Sequence, residues 1–97
     1  MEDFDWDYME NFIASVLNEL KDTLSKKSVE SAEHLLEHRE YEMSFEGLCL
    51  DIMNLPKKPS LDWIEMKTAA KTLSLDKESV YDDDFWNKFE SYLDQEE

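Results

Sequence analysis

One glycine, two prolines and one cysteine in 97 residues leave this chain short of the residues on which several fold classes depend. Tight hairpins draw on glycine for positive φ and on proline for rigid turns. A scaffold of many short strands is therefore disfavoured, and helices are favoured before any periodicity is considered. The lone Cys49 cannot close an internal disulfide. The opening Met1-Glu2-Asp3-Phe4-Asp5 lacks the basic region and apolar stretch of a secretory signal, so the expected compartment is the reducing cytoplasm. No apolar run approaches the roughly 20 residues that span a bilayer. Cations are scarce as well. Lys and Arg number 10 against 25 Asp and Glu, a formal net charge of -15. Such a field repels nucleic acid phosphates and anionic membrane surfaces, so direct nucleic acid or membrane binding is not expected, and the complementary partner is a basic protein.

What is present is enough apolar material for one core. The hydrophobic fraction is 41% with 12% aromatics, and a chain of this length fits a single domain, residues 1–97. Tyr8, Phe12, Ile13, Val16, Leu17, Leu20 and Leu24 follow one face of a first helix. Lys26 and Lys27 would suit the negative end of its dipole. Ser28 is the expected N-cap of a second helix that turns Val29, Ala32, Leu35 and Leu36 inward. The chain then turns near His38-Arg39-Glu40, because the next apolar set, Tyr41, Phe45, Leu48, Cys49 and Ile52, is out of phase with the last. Met43, Gly47 and Leu50 give that third helix a second apolar stripe, which places it in the middle of a bundle, with Gly47 allowing a neighbouring helix close. Leu55-Pro56-Lys57-Lys58-Pro59 cannot continue a helix. Ser60 is the expected cap of a fourth helix carrying Trp63, Ile64, Met66, Ala70 and Leu73. Asp76 or Asp82 begins a fifth with Phe85, Trp86, Phe89, Tyr92 and Leu93. The expected fold is all-α, a compact bundle of about five helices.

Several strings could carry chemistry. His34-Leu35-Leu36-Glu37-His38 matches the H-x-x-E-H string of inverted zinc metallopeptidases, yet such a site needs a third ligand and a cleft, and no other histidine exists. Cys49 lies on the inward stripe, where a thiol acts as a small hydrophobe. Asp82-Asp83-Asp84 offers hard oxygens but lacks the twelve-residue calcium loop with its central glycine. That run fits the first turn of the last helix, where carboxylates favour the positive dipole end. Neither a catalytic group nor a cofactor is expected.

Acidic residues gather beside aromatics at both ends. Asp3, Asp5 and Asp7 alternate with Phe4, Trp6 and Tyr8, and Asp82, Asp83 and Asp84 precede Phe85 and Trp86. Tryptophan and tyrosine are frequent interface anchors, and surrounding carboxylates steer a basic partner. The same aromatics could equally pack the first helix onto the bundle. On the interface reading the contact candidates are Asp3, Asp5, Trp6, Asp82, Asp83, Asp84 and Trp86.

The segment Leu35-Leu36-Glu37-His38-Arg39-Glu40-Tyr41-Glu42-Met43-Ser44-Phe45-Glu46-Gly47-Leu48-Cys49 resembles the central helical hairpin of small bacterial immunity proteins paired with polymorphic toxins. The Maf-type and contact-dependent growth-inhibition systems are among these. Leucines lead into a turn, Glu-Tyr follows, and further apolar positions close the pattern, with similarity in outline over residues 28–75. Arg39 stands where such hairpins often carry glycine. The resemblance implies a protein that neutralises a cognate toxin, frequently a nuclease with a basic cleft, as one partner of a one-to-one complex. It carries over no binding residues, because immunity proteins vary most where they touch their toxins. Two other readings are compatible with the charge: an acidic mimic of nucleic acid that binds many basic proteins, and a small adaptor or regulatory subunit.

Overall fold

Helix α1 (Trp6–Leu20) begins where Asp5, in extended geometry, turns its carboxylate back to accept the Tyr8 N–H at 2.9 Å, satisfying one of the orphan donors of the first turn. Met9, Ile13, Val16, Leu17 and Leu20 then recur at helical intervals and are all buried. The inward stripe starts at Met9, while Tyr8 is half exposed. These positions come from a computed structural model that describes residues 5–95, in which five α-helices and no strands are found.

The cap of α2 (Lys26–Glu37) is Ser25 and not Ser28: the Ser25 Oγ accepts the Ser28 N–H at 3.1 Å. Ser25 has the extended backbone that aims its hydroxyl into the turn, whereas Ser28 is already helical. Because α1 stops at Leu20, Lys26 and Lys27 sit in the first turn of α2, at its positive end, where the dipole disfavours them. Helix α2 ends at Arg39 in left-handed geometry, φ 60°. The Arg39 N–H donates to the Leu36 carbonyl at 3.0 Å and the Glu40 N–H to the Leu35 carbonyl at 2.9 Å. This pair of bonds is the Schellman closure, whose central residue is usually glycine.

Helix α3 (Tyr41–Met53) is the central element, packing against α1, α2 and α5. The α2–α3 hairpin is pinned by the buried Ser44 hydroxyl, which donates to the Ala32 carbonyl at 2.9 Å. Phe45, Phe85 and Phe89 have no exposed surface, each contributing roughly 1.5–3 kcal/mol of apolar burial. Gly47 does not admit a helix. A Cβ there would meet the Tyr81 ring at 3.5 Å, an ordinary contact with the loop that precedes the last helix.

The proline-bearing linker is tied down by Lys58, whose ammonium donates to the carbonyls of Tyr92, Leu93 and Gln95 at 3.1–3.3 Å. It also lies 5.3 Å from the ring centroids of Trp63 and Tyr92. A cation thus caps the negative end of the last helix. Helix α4 (Trp63–Thr72) is capped by Asp62, two residues beyond Ser60, through the Glu65 N–H at 3.1 Å. It ends at Ser74, φ 63°, in a second Schellman closure, with Leu75 N–H on the Ala70 carbonyl at 2.9 Å. Helix α5 (Phe85–Leu93) begins later than either Asp76 or Asp82.

Candidate functional site

The segment between α4 and α5 owes its shape to one buried carboxylate. Glu46, on α3, has no exposed surface. Its Oε1 accepts the Val80 N–H at 2.6 Å, and its Oε2 accepts those of Tyr81 and Asp82 at 2.9 and 3.0 Å. Three converging donors offset the loss of hydration that makes an unpaired buried charge untenable. The backbone is fixed while the Val80 and Tyr81 side chains point outward, 49% and 51% exposed. Neither was among the residues expected at the surface site. The signal for Glu46 lay in the second apolar stripe, since it falls three residues after Met43 and four before Leu50.

The three aspartates that follow are inequivalent. Asp82 accepts the Asp84 N–H at 2.9 Å and forms a 2.6 Å ion pair with Lys88. The Lys88 hydrogen bond, then that N–H, hold its carboxyl below the usual value, and the same contact raises the Lys88 ammonium. Asp84 occupies the N-cap position of α5 without capping it, and instead accepts the Asn87 amide at 2.8 Å. Asp83 is exposed and makes no hydrogen bond or ion pair with the described residues. The triplet therefore precedes the helix and does not form its first turn. Trp86 is half-buried and tilted on Phe89, with ring centroids 5.7 Å apart, so most of its surface serves packing.

At the start of α1, Trp6 is 47% exposed and stacks on Tyr41 with centroids 4.9 Å apart. With Asp7, Glu10 and Arg39 the pair lines a hollow of about 300 Å³. Tyr8, 50% exposed, stacks on Phe12 and donates its hydroxyl to Glu65. Tyr41 donates to Glu10 at 3.2 Å. Both phenols are held above the ordinary 10.0, Tyr8 chiefly by its hydrogen bond to Glu65 and Tyr41 chiefly by burial. These aromatics are thus packed on one face and open on the other, so packing and presentation are not alternatives here. The Asp5 carboxylate is exposed but already engaged as a cap. Asp3 lies outside the described residues.

The two acidic regions dock on the same helix, α3, through α1 and α5. Beside the second, α3 and α5 enclose an open groove of about 770 Å³, lined by Leu50 and Met53 together with Asp82, Asp84, Asn54, Asn87 and Lys88. His34 and His38 are exposed and meet edge to face, 4.5 Å between centroids. Among the described residues there is no group of three or more metal-ligating side chains. Cys49 is buried, and burial followed by the charge of Glu46 pushes its thiol far up, the opposite of what a nucleophile requires. No described helix is long and apolar enough to cross a membrane. Comparison of the chain with protein families, with curated proteins and with solved structures found no match.

Proposed function

We propose that this chain is an immunity protein that binds a cognate toxin in the cytoplasm, one to one, and neutralises it by occluding the cleft of a basic, nucleolytic domain. The observation that carries the reading is the pairing of unshielded carboxylate with rigidly seated, half-exposed aromatic surface. Asp83 stands beside Val80 and Tyr81 on a loop fixed by Glu46, and Trp6 and Tyr8 stand among Asp5, Asp7 and Glu10. Carboxylates in a basic cleft take the place of substrate phosphates and form charge-assisted hydrogen bonds to Lys and Arg. The aromatics supply desolvated anchors, and because they are already ordered, less conformational freedom is lost on binding. The resemblance of the α2–α3 hairpin to immunity proteins points the same way. No catalytic group is needed for such inhibition.

The test is growth of cells that express the product of the neighbouring upstream reading frame, with and without this protein, followed by co-purification. Rescue with a stable one-to-one complex is expected. Within that complex, Asp83→Lys should weaken binding without touching the loop's internal bonds, and Trp6→Ala should weaken it at all salt concentrations. An acidic mimic of nucleic acid would instead bind many basic proteins and release them as salt rises. Absence of both toxicity and complex would sink the immunity reading.

A further inference from the structure

The groove between α3 and α5 already holds a cation of its own. Lys88, one of its lining residues, pairs with Asp82 at 2.6 Å, with Asp84 adding to the attraction, while the lysine side chain stays 56% exposed. Leu50 and Met53, which line the same groove, are partly buried against the core and keep some surface open, and the thioether of methionine adapts to varied apolar shapes. Asn54 and Asn87 add amide groups that can bond a passing backbone. A groove lined by both carboxylates and apolar side chains fits a positively charged head with an aliphatic neighbour.

We propose that this groove receives an arginine-bearing segment of the partner protein, whose guanidinium displaces Lys88 from Asp82 while an adjacent aliphatic side chain covers Leu50 and Met53. Lys88 is thus an internal stand-in for the partner's cation, and it competes with that cation. Arginine suits the exchange better than lysine, because its planar fork can engage two carboxylates and its hydration is weaker. Glu46 holds the edge in place before the partner arrives, so the backbone of Asp82 need not be ordered on binding. The inference rests on the reading of a basic protein partner and adds where one of its segments lies.

The experiment uses the whole chain and a defined probe, a blocked octapeptide of alternating arginine and leucine, titrated into the isotope-labelled protein at low salt and followed by amide chemical shifts. Saturable shifts are expected at Leu50, Met53, Asp84 and Asn87. Lys88→Met, which removes the competitor, should tighten binding about two- to five-fold, as expected for one exposed ion pair. Asn87→Lys, at an exposed position, should weaken it by a similar factor. A peptide of alternating arginine and serine should bind more weakly and leave Leu50 and Met53 unmoved. Shifts confined to the Trp6 end, no saturation, or weaker binding by Lys88→Met would each overturn the proposal. Rescue of toxin-expressing cells with a silent groove would remove the groove alone, whereas a responsive groove without any toxin would remove the immunity reading alone.

Discussion

Replacing Glu46 with glutamine changes one atom in the protein interior and should unfasten the loop that carries Val80, Tyr81 and Asp82. Each N–H bond to a charged acceptor contributes roughly 1.5–3 kcal/mol, and Glu46 accepts three. The gross loss is not realised in full, because Val80 and Tyr81 lie at the surface and their amides regain water once detached. The glutamine retains one carbonyl oxygen, but its NH2 group must face at least one N–H, donor against donor. A net destabilisation of about 2–3 kcal/mol follows, which in a domain of this size lowers Tm by about 4–8 °C per kcal/mol.

Thermal unfolding of Glu46→Gln measures the global term, and amide hydrogen exchange at Val80, Tyr81 and Asp82 locates it. Those three amides should exchange much faster in the variant while amides within α1 and α2 change only as global stability does. A Tm drop of less than about 4 °C, with the three amides as slow as in the parent, would refute the reasoning.

The two helix ends in left-handed geometry, Arg39 and Ser74, should be relieved by glycine. Removing a left-handed penalty of about 1–2 kcal/mol and adding glycine's extra chain entropy leaves each substitution stabilising by about 0.5–1 kcal/mol, read as a higher urea midpoint with an unchanged slope. Lys58→Met should cost about 1–2 kcal/mol, the sum of a helix-end charge and a cation–ring contact, and fraying of α5 should appear in the amides after Tyr92. The Asp82–Lys88 pair gives a pH signature. Because the Asp82 carboxyl is held below its ordinary 3.8, its contribution is present above that value and is lost as pH falls through the lower folded value. The Tm difference between the parent and Lys88→Met should therefore be level from pH 7 to about 5 and close in stronger acid. A difference unchanged down to pH 2 would exclude the pair as a source of stability.

The fold was legible because its main signal is periodic and redundant. Four to seven apolar residues on the main face of each segment, together with the break at Pro56 and Pro59, leave little freedom in helix number or order. The change of phase between Leu36 and Tyr41 located a turn that the structure closes at Arg39. The caps were less legible because neighbouring candidates compete and backbone geometry decides between them. Ser25 and Ser28 both qualify by residue type, as do Ser60 and Asp62, but Ser28 is already helical, Ser60 lies two residues before the N-cap position, and Ser25 and Asp62 sit where an extended backbone aims an oxygen at the free N–H groups. The last helix was anticipated too early for a related reason. The acidic residues that would suit its positive end are held outside it by Glu46 and Lys88, contacts made across 36 and 6 residues of chain.

The acidic surface shows where a count of charges stops being informative. Asp82, Asp83 and Asp84 are identical in sequence, yet one is paired with a lysine, one with an amide, and one is open to solvent. A formal charge of -15 sets a long-range field that would draw the proposed basic partner near. It does not say which carboxylates would be open to such a partner's cations. Pairing bears on this, and the backbone that carries the paired aspartates is held by Glu46, an acidic residue that faces inward. The carboxylate that organises the surface is thus the one that composition would have assigned to repulsion, and the exposed Val80 and Tyr81 it presents are the residues that acidity alone could not have indicated. On the proposed reading, recognition on this face would draw on a fixed backbone that carries open groups such as Asp83 beside the exchangeable Asp82–Lys88 pair, with the remaining charge acting at a distance.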